Sequence, residues 1–378
     1  MDMKVQITNG MLVSLIITMV YAKALGVTQG IMAREAGGDI WLSTMIATLQ
    51  GMLIMTLTVW IIRRTPDKNI VEQFEFLLGR WAGKIIGIVL FLFFIGAFIT
   101  IMITFVYHIM DYFLPEAPMY VFFIVMLCVS LYGLFLGLEV VGRTAFLGLL
   151  MMVVFNILMI FGCVKQMDIR ELQPMFQSGL WTTFWASRHN NTDWAMATLM
   201  VSLILPKTTS PKEWSRSAPI GVILGGIIVL LWPILEVTVL TPEMTAQYIV
   251  SCMQLARSAE IGMFLHRYEM IMVAMFIVPL FVQIILCLYC ASQAISHTFG
   301  VFGVKRLRYF FLPVALILSA ISYWIVGDHF RAMDFLTNYW PSITLPIAFG
   351  IPMILLIVGW MRRKKLRDYL ASDGVDKE

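Results

Sequence analysis

The sequence predicts an all-α membrane protein of ten transmembrane helices with its N and C termini cytoplasmic, and three observations carry that prediction. The 378 residues are 60% hydrophobic and 13% charged, with a mean hydropathy of +0.85, outside the range of soluble domains. Apolar stretches long enough for the ~20 helical residues that cross a hydrocarbon core recur along the chain, with short polar interruptions. With the N-terminus inside, nineteen of the 27 lysines and arginines face the cytoplasm, seven face outward, and Lys23 lies within a span. Cationic loops are retained on the cytoplasmic side, so the +4 net charge is a topology signal and not a nucleic-acid signal.

The expected spans are 11–33, 40–62, 84–110, 119–138, 143–164, 188–205, 218–241, 268–298, 309–327 and 341–361, within one transmembrane domain that fills residues 1–378. They are rich in Leu, Ile, Val, Met and Phe without the alternation of barrel strands, so the backbone must satisfy its hydrogen bonds as helices. The first span continues past any plausible cleavage site and is expected to stay in the mature protein. Residues 362–378 read as a basic cytoplasmic tail. Between the second and third spans, Ile70, Val71, Phe74, Leu77 and Leu78 recur at helical spacing opposite Lys68, Glu72, Glu75 and Arg80. That pattern predicts a helix lying on the inner leaflet. Thr241-Pro242-Glu243 ends the seventh span, and Met244 to Ala259 then reads as a helix that either caps an outward vestibule or merely connects spans.

Polar groups at membrane depth are costly and usually line a cavity or pair with something. Lys23 lies mid-span in Tyr21-Ala22-Lys23-Ala24-Leu25-Gly26-Val27-Thr28-Gln29-Gly30, where two glycines let the helix unwind. The lysine snorkels, holds helices together through an internal ion pair, or meets a ligand. The sixth span opens with Ser187-Arg188-His189-Asn190-Asn191-Thr192-Asp193-Trp194, either a second interruption or outer loop. Interruptions at the start of each half point to an inverted-repeat transporter fold, 11–164 and 188–361 forming the two five-helix repeats, with the ligand at the breaks. The ligand-binding residues expected from this reading are Ala22, Lys23, Gly26, Thr104, Asn190, Asn191, Asp193 and Gln283. Glu236 is a buried carboxylate that answers Lys23, carries a mobile proton, or sits in a structural pair. Asn156 reads as interhelical glue.

Cys287 and Cys290 form a CxxC, which on a membrane helix places two small residues on one face, and no disulfide framework follows from the five cysteines. The histidines are scattered, and the sequence holds no metal-ligand cluster, nucleophile elbow or phosphate-cradling glycine loop. Nothing argues for an enzyme, a catalytic residue, a metal or a cofactor.

The chain also resembles the B subunit of the GerA-type spore germinant receptors. The resemblance rests on Arg34-Glu35-Ala36-Gly37-Gly38-Asp39-Ile40-Trp41, Leu78-Gly79-Arg80-Trp81-Ala82-Gly83-Lys84 and Gly137-Leu138-Glu139-Val140-Val141-Gly142-Arg143. It continues through Leu240-Thr241-Pro242-Glu243-Met244-Thr245-Ala246, Phe264-Leu265-His266-Arg267-Tyr268-Glu269, Tyr339-Trp340-Pro341-Ser342, Leu345-Pro346 and Gly350-Ile351-Pro352. It implies a member of the amino acid, polyamine and organocation transporter superfamily, with the 5+5 inverted repeat of LeuT-like transporters, that has become a nutrient sensor in the spore inner membrane. The implied partners are a larger A-subunit membrane protein, a C-subunit lipoprotein, and an L-amino acid, sugar or nucleoside. Lys23 and Gln29 depart from the pattern, which tends to carry a small polar residue and a proline there. The competing expectation is a proton-coupled amino acid transporter working through Lys23 or Glu236; a passive pore would need a continuous polar lining that the sequence lacks.

Overall fold

The computed structural model describes residues 7–24, 26–261, 265, 266, 268–301 and 303–375, without the side chains of 22–24, 265, 266, 304, 305 and 370–375. Apart from a two-residue antiparallel pairing of 260–261 with 265–266, the described residues are helical. The helices are α1 (Asn9–Ala24), α2 (Thr28–Ala36), α3 (Ile40–Ile62), α4 (Ile70–Leu78), α5 (Arg80–Met110), α6 (Met119–Leu136), α7 (Leu138–Cys163) and α8 (Leu180–Ile204). They continue with α9 (Trp214–Leu235), α10 (Pro242–Gln247), α11 (Ser251–Ser258), α12 (Glu269–Thr298), α13 (Val304–Val326), α14 (His329–Asp334), α15 (Trp340–Met361) and α16 (Arg363–Val375). Among the described residues eight segments are long and apolar enough to cross a membrane. α1 is too short for that measure, and α8 is outside it because seven consecutive polar residues, 187–193, interrupt its apolar run.

Local chemistry sets the boundaries. Asn69 accepts from the amides of Val71 and Glu72 while Glu72 accepts from the amide of Asn69, a capping box that starts α4 where the amphipathic pattern predicts it. Gly79, at φ +97°, turns the chain directly into α5, a conformation that other residues rarely adopt. Pro242 starts α10 at the predicted break, after one wide π turn over Glu236–Leu240.

The core runs around α1, α3, α5, α8, α9 and α12. α1 lies along α9 and α7, α8 lies along α3 and α15, α5 runs against α12, α3 crosses α9 and α6 crosses α13. Asn156 of α7 accepts at 3.1 Å from both Tyr21 of α1 and Trp232 of α9, which makes it the interhelical link expected of it. The thiols of Cys287 and Cys290 point to backbone carbonyls of Phe94 and Met200, the packing role expected of the CxxC. The α3–α8 contact is close enough that a Cβ on Gly51 would stand 2.4 Å from Cγ of Trp194. Gly51→Ala is therefore expected to destabilise the protein by about 1–3 kcal/mol, as overpacked cores do. A thermal unfolding midpoint equal to wild type in detergent would contradict this packing.

Two expectations need correction. α8 is not interrupted at residues 187–194: it begins eight residues earlier than expected, at Leu180, and stays helical to Ile204. Its polar side chains find partners on neighbouring helices, so the backbone has no need to open. Its first turns present Leu180, Trp181, Phe184 and Trp185 outward, and the aromatic rings stack as an interfacial belt does. The expected single helix from Met244 to Ala259 is two, α10 and α11, separated at 248–250. Within the basic stretch at the C-terminal end, for which no secondary structure was expected, Arg363–Val375 forms a helix, α16.

Candidate ligand site at the helix break

The first span is broken. α1 ends at Ala24 and α2 begins at Thr28, and no side chain caps the first turn of α2. The break therefore offers the carbonyl end of one half-helix and the amide end of another, opposite partial charges a few residues apart. Gly26 lies in the turn, as expected, and is buried. Ala22 and Lys23 belong to the last turn of α1, but their side chains lie outside the described residues.

Opposite the break stands α8. His189 and Thr192 of α8, Thr104 of α5, Trp340 of α15 and Leu336 face Val27, Thr28 and Ile31 around a cavity of about 10 Å³. That volume suits roughly one water, so the described lining is closed around a space too small for a nutrient. Thr104 donates to the Thr100 carbonyl at 3.1 Å. Its own carbonyl lies 2.6 Å from Nδ1 of His108. Gln283 of α12 donates at 2.7 Å to the Met19 carbonyl in α1, and its Oε1 is buried without a hydrogen-bond partner among the described residues. Asp193 is fully buried, with the Thr192 hydroxyl 3.3 Å from Oδ1.

The predicted residues thus divide. Thr104 lines the cavity, Gly26 forms the turn, Gln283 reaches the end of α1, and Asp193 is buried next to Thr192 in α8. Asn190 and Asn191 turn the other way, toward Thr44 (2.8 Å) and Gln50 of α3. Glu236 does not line that cavity: it begins the π turn after α9, its carboxylate buried with no hydrogen-bond partner among the described residues. Ser251 and Cys252 of α11 lie beside it, Ser251 outside hydrogen-bonding geometry.

Sequence reasoning did not place Glu35, His189 or Trp340 at the site. Glu35 accepts two hydrogen bonds from the Arg188 guanidinium, both 2.6 Å, and a third contact of 3.0 Å from Nε2 of His189. The pair straps α2 to α8 directly above the cavity. Arg34 donates to the carbonyls of Ala246 and Tyr248 at 2.9 and 3.4 Å, which straps α2 to α10 and the segment after it. The available signal was the pair of opposite charges at the ends of two spans. On the far side of the molecule, Ile7 pairs with the chain between Lys207 and Thr209, with backbone bonds of 3.0 and 2.9 Å. Asn9 donates to Glu213 on the same face. α1 and α2 are held at both ends of the site.

The sequence profile of the spore germination protein family matches residues 6–325. The chain belongs to that family. Its relatives include spore germination protein YndE of Bacillus subtilis (strain 168), 24% identical over 92% of this chain and 94% of the relative. Spore germination protein KB of the same organism is 22% identical over 96% of each chain. This is the family of germinant receptor B subunits that the sequence motifs resemble. Among solved structures the chain is similar to a substrate-bound, outward-open Na⁺-coupled sialic acid symporter. The TM-score is 0.64 at 13% identity, over 92% of this chain and 78% of that one. It is also similar to Mhp1, a nucleobase-cation-symport-1 family transporter in a closed conformation with bromovinylhydantoin bound. There the TM-score is 0.57 at 9% identity, with the same coverage. The fold is that of these transporters, and the protein is an integral membrane protein of the spore germination protein family.

Proposed function

We propose that the chain is the nutrient-binding B subunit of a GerA-type germinant receptor in the spore inner membrane, working with an A-subunit membrane protein and a C-subunit lipoprotein. The observation that carries this reading is the broken first span facing α8 and Thr104 in a member of the spore germination protein family. The ligand is a small zwitterion, an L-amino acid. Its carboxylate meets the free amides of α2 and the Lys23 ammonium, and its ammonium meets the carbonyl end of α1 and Asp193.

The chain crosses the membrane ten times as two inverted five-helix repeats, 11–164 and 188–361, with both termini cytoplasmic. Helix contacts support the repeat. Exchanging α1 for α8, α3 for α9, α5 for α12, α6 for α13 and α7 for α15 turns the α3–α8 contact into α9–α1 and α7–α1 into α15–α8. Contacts α5–α12, α3–α9 and α6–α13 map onto themselves. The crowding of Lys and Arg onto one set of loops supports the orientation.

Binding drives signalling only if the ligand prefers one of two conformations. The ligand stabilises a strapped arrangement in which Glu35–Arg188 stays paired while the space at the break widens to admit it. Lys23→Met is expected to raise the nutrient concentration for half-maximal germination about tenfold or more, since hydrogen bonds to charged groups contribute about 1.5–3 kcal/mol. An unchanged threshold at normal protein level rules Lys23 out of the site. The second reading, a proton-coupled amino acid transporter, draws on Glu236, a fully buried carboxylate with no described hydrogen-bond partner.

A further inference from the structure

The basic face carries a second concavity, unrelated to the helix break. Where α3 ends and α15 passes into α16, an open groove of about 900 Å³ lies between Trp60 and Arg64 on one side and Ile357, Trp360, Arg363 and Arg367 on the other. Its chemistry is distinctive. The Arg64 guanidinium lies over the Trp60 ring at 3.9 Å, and that of Arg363 lies over Trp360 at 5.1 Å, so each wall ends in a stacked Arg–Trp pair. Arg363 and Arg367 stand one helical turn apart on α16 and share a face. A Cβ at Gly359 would stand 3.2 Å from Nη1 of Arg64, so the guanidinium crosses α15 at its glycine and reaches into the groove.

None of the three guanidiniums makes an ion pair or a side-chain hydrogen bond among the described residues, and the lining includes no carboxylate. Three cations thus line one groove without a counter-charge among the described residues. The apolar side of the groove continues along exposed membrane-facing side chains: Leu49 and Leu53 on α3, 61% and 63% exposed, and Met353 and Ile357 on α15. Each pair is spaced by one turn on its helix and lies away from the arginines, on the far side of the indoles.

We propose that this groove binds one anionic phospholipid, its phosphodiester held by Arg64, Arg363 and Arg367 and its acyl chains laid along α3 and α15. A guanidinium fork suits a phosphate geometrically, and indoles belong at the headgroup level of a bilayer. The lipid joins α16 to the transmembrane body through charge that the described residues leave uncompensated. α16 is otherwise fixed by Tyr369, which donates to Asp67, and by Lys365, which donates to the Phe76 carbonyl at the end of α4. The groove thus sits where helix α16 meets the loop before α4.

The test is native mass spectrometry of the delipidated full chain in detergent, titrated with phosphatidylglycerol or with phosphatidylcholine of identical acyl chains. Phosphatidylglycerol is expected to be retained in preference. Its affinity is expected to fall about fivefold for each arginine changed to glutamine, since a basic residue near an anionic surface contributes about 1 kcal/mol. The single variant Arg367→Gln suffices should the triple variant fail to fold. A control that removes equal charge elsewhere on the basic face, Lys212→Gln/Arg216→Gln/Arg306→Gln, is expected to keep the preference. Equal binding of the two lipids, unchanged binding by the groove variants, or an equal loss in the control overturns the proposal. Binding of glycerol 3-phosphate as tight as that of the lipid also overturns it, because it makes the groove a site for free phosphate.

Discussion

Spores whose receptor carries Gly30→Ala are expected to lose much of their nutrient response, with a rise of about fivefold to a hundredfold in the concentration for half-maximal germination at unchanged protein level. Gly30 lies in α2, and a Cβ there would stand 2.4 Å from the carbonyl oxygen of Tyr248, with the carbonyls of Ile249 and Thr245 at 3.5 and 3.6 Å. The obstacle is backbone, not a side chain that swings aside, so α2 must move off the segment between α10 and α11. Overpacking of this kind costs about 1–3 kcal/mol, which shifts a two-state equilibrium about fivefold to a hundredfold. Because α2 forms one wall of the cavity, the strapped arrangement carries that cost. Germination assays with immunoblots for protein level check the prediction, and a wild-type threshold would mean that the strapped arrangement does not involve this contact.

The second large effect is expected at the Glu35–Arg188 strap. Each side chain is largely shielded, with the Arg188 and Glu35 side chains 18% and 26% exposed, and the pairing is bidentate. Glu35→Gln or Arg188→Met leaves the partner charge without its counter-ion close to the cavity. Hydrogen bonds to charged groups contribute about 1.5–3 kcal/mol, so each single change is expected to reduce nutrient sensitivity about tenfold to a hundredfold. The charge-exchanged double variant Glu35→Arg/Arg188→Glu is expected to recover part of the loss. Recovery is partial because His189, 3.0 Å from Glu35, then faces an arginine. Equal defects in the singles and the exchange would place the effect in packing and not in the ion pair.

Much of this architecture was legible from residue pattern. Apolar periodicity located α3, α5, α6, α7, α9, α12, α13 and α15 because each must bury or expose an apolar surface over a bilayer-length run. The amphipathic face of α4 and the break at Pro242 were legible for local reasons. α8 was not. Seven consecutive polar residues read as an opening of the helix, whereas Arg188, His189, Asn190 and Asn191 all reach partners on α2 or α3. Hydropathy registers that a residue is polar; it holds no information on which neighbour satisfies it. The same gap explains the mixed outcome at the site. Thr104 and Gly26 fall at the cavity or its break, while Asn190 and Asn191 belong to the α3 interface and Glu236 to the π turn after α9. Glu35 escaped notice because it lies beyond the expected end of the first span, and only the packing of α2 against α8 brings it to Arg188.

A receptor built on a transporter scaffold and a transporter share this fold, so the central claim turns on what happens after the ligand binds. The most direct measurement compares equilibrium binding with time-dependent accumulation of radiolabelled L-amino acids by the purified chain in liposomes, with and without a proton gradient. Saturable binding that Lys23→Met weakens, with no accumulation above the equilibrium level, is the predicted result. Concentrative uptake that depends on the gradient and on Glu236 would contradict it and make the protein a working transporter.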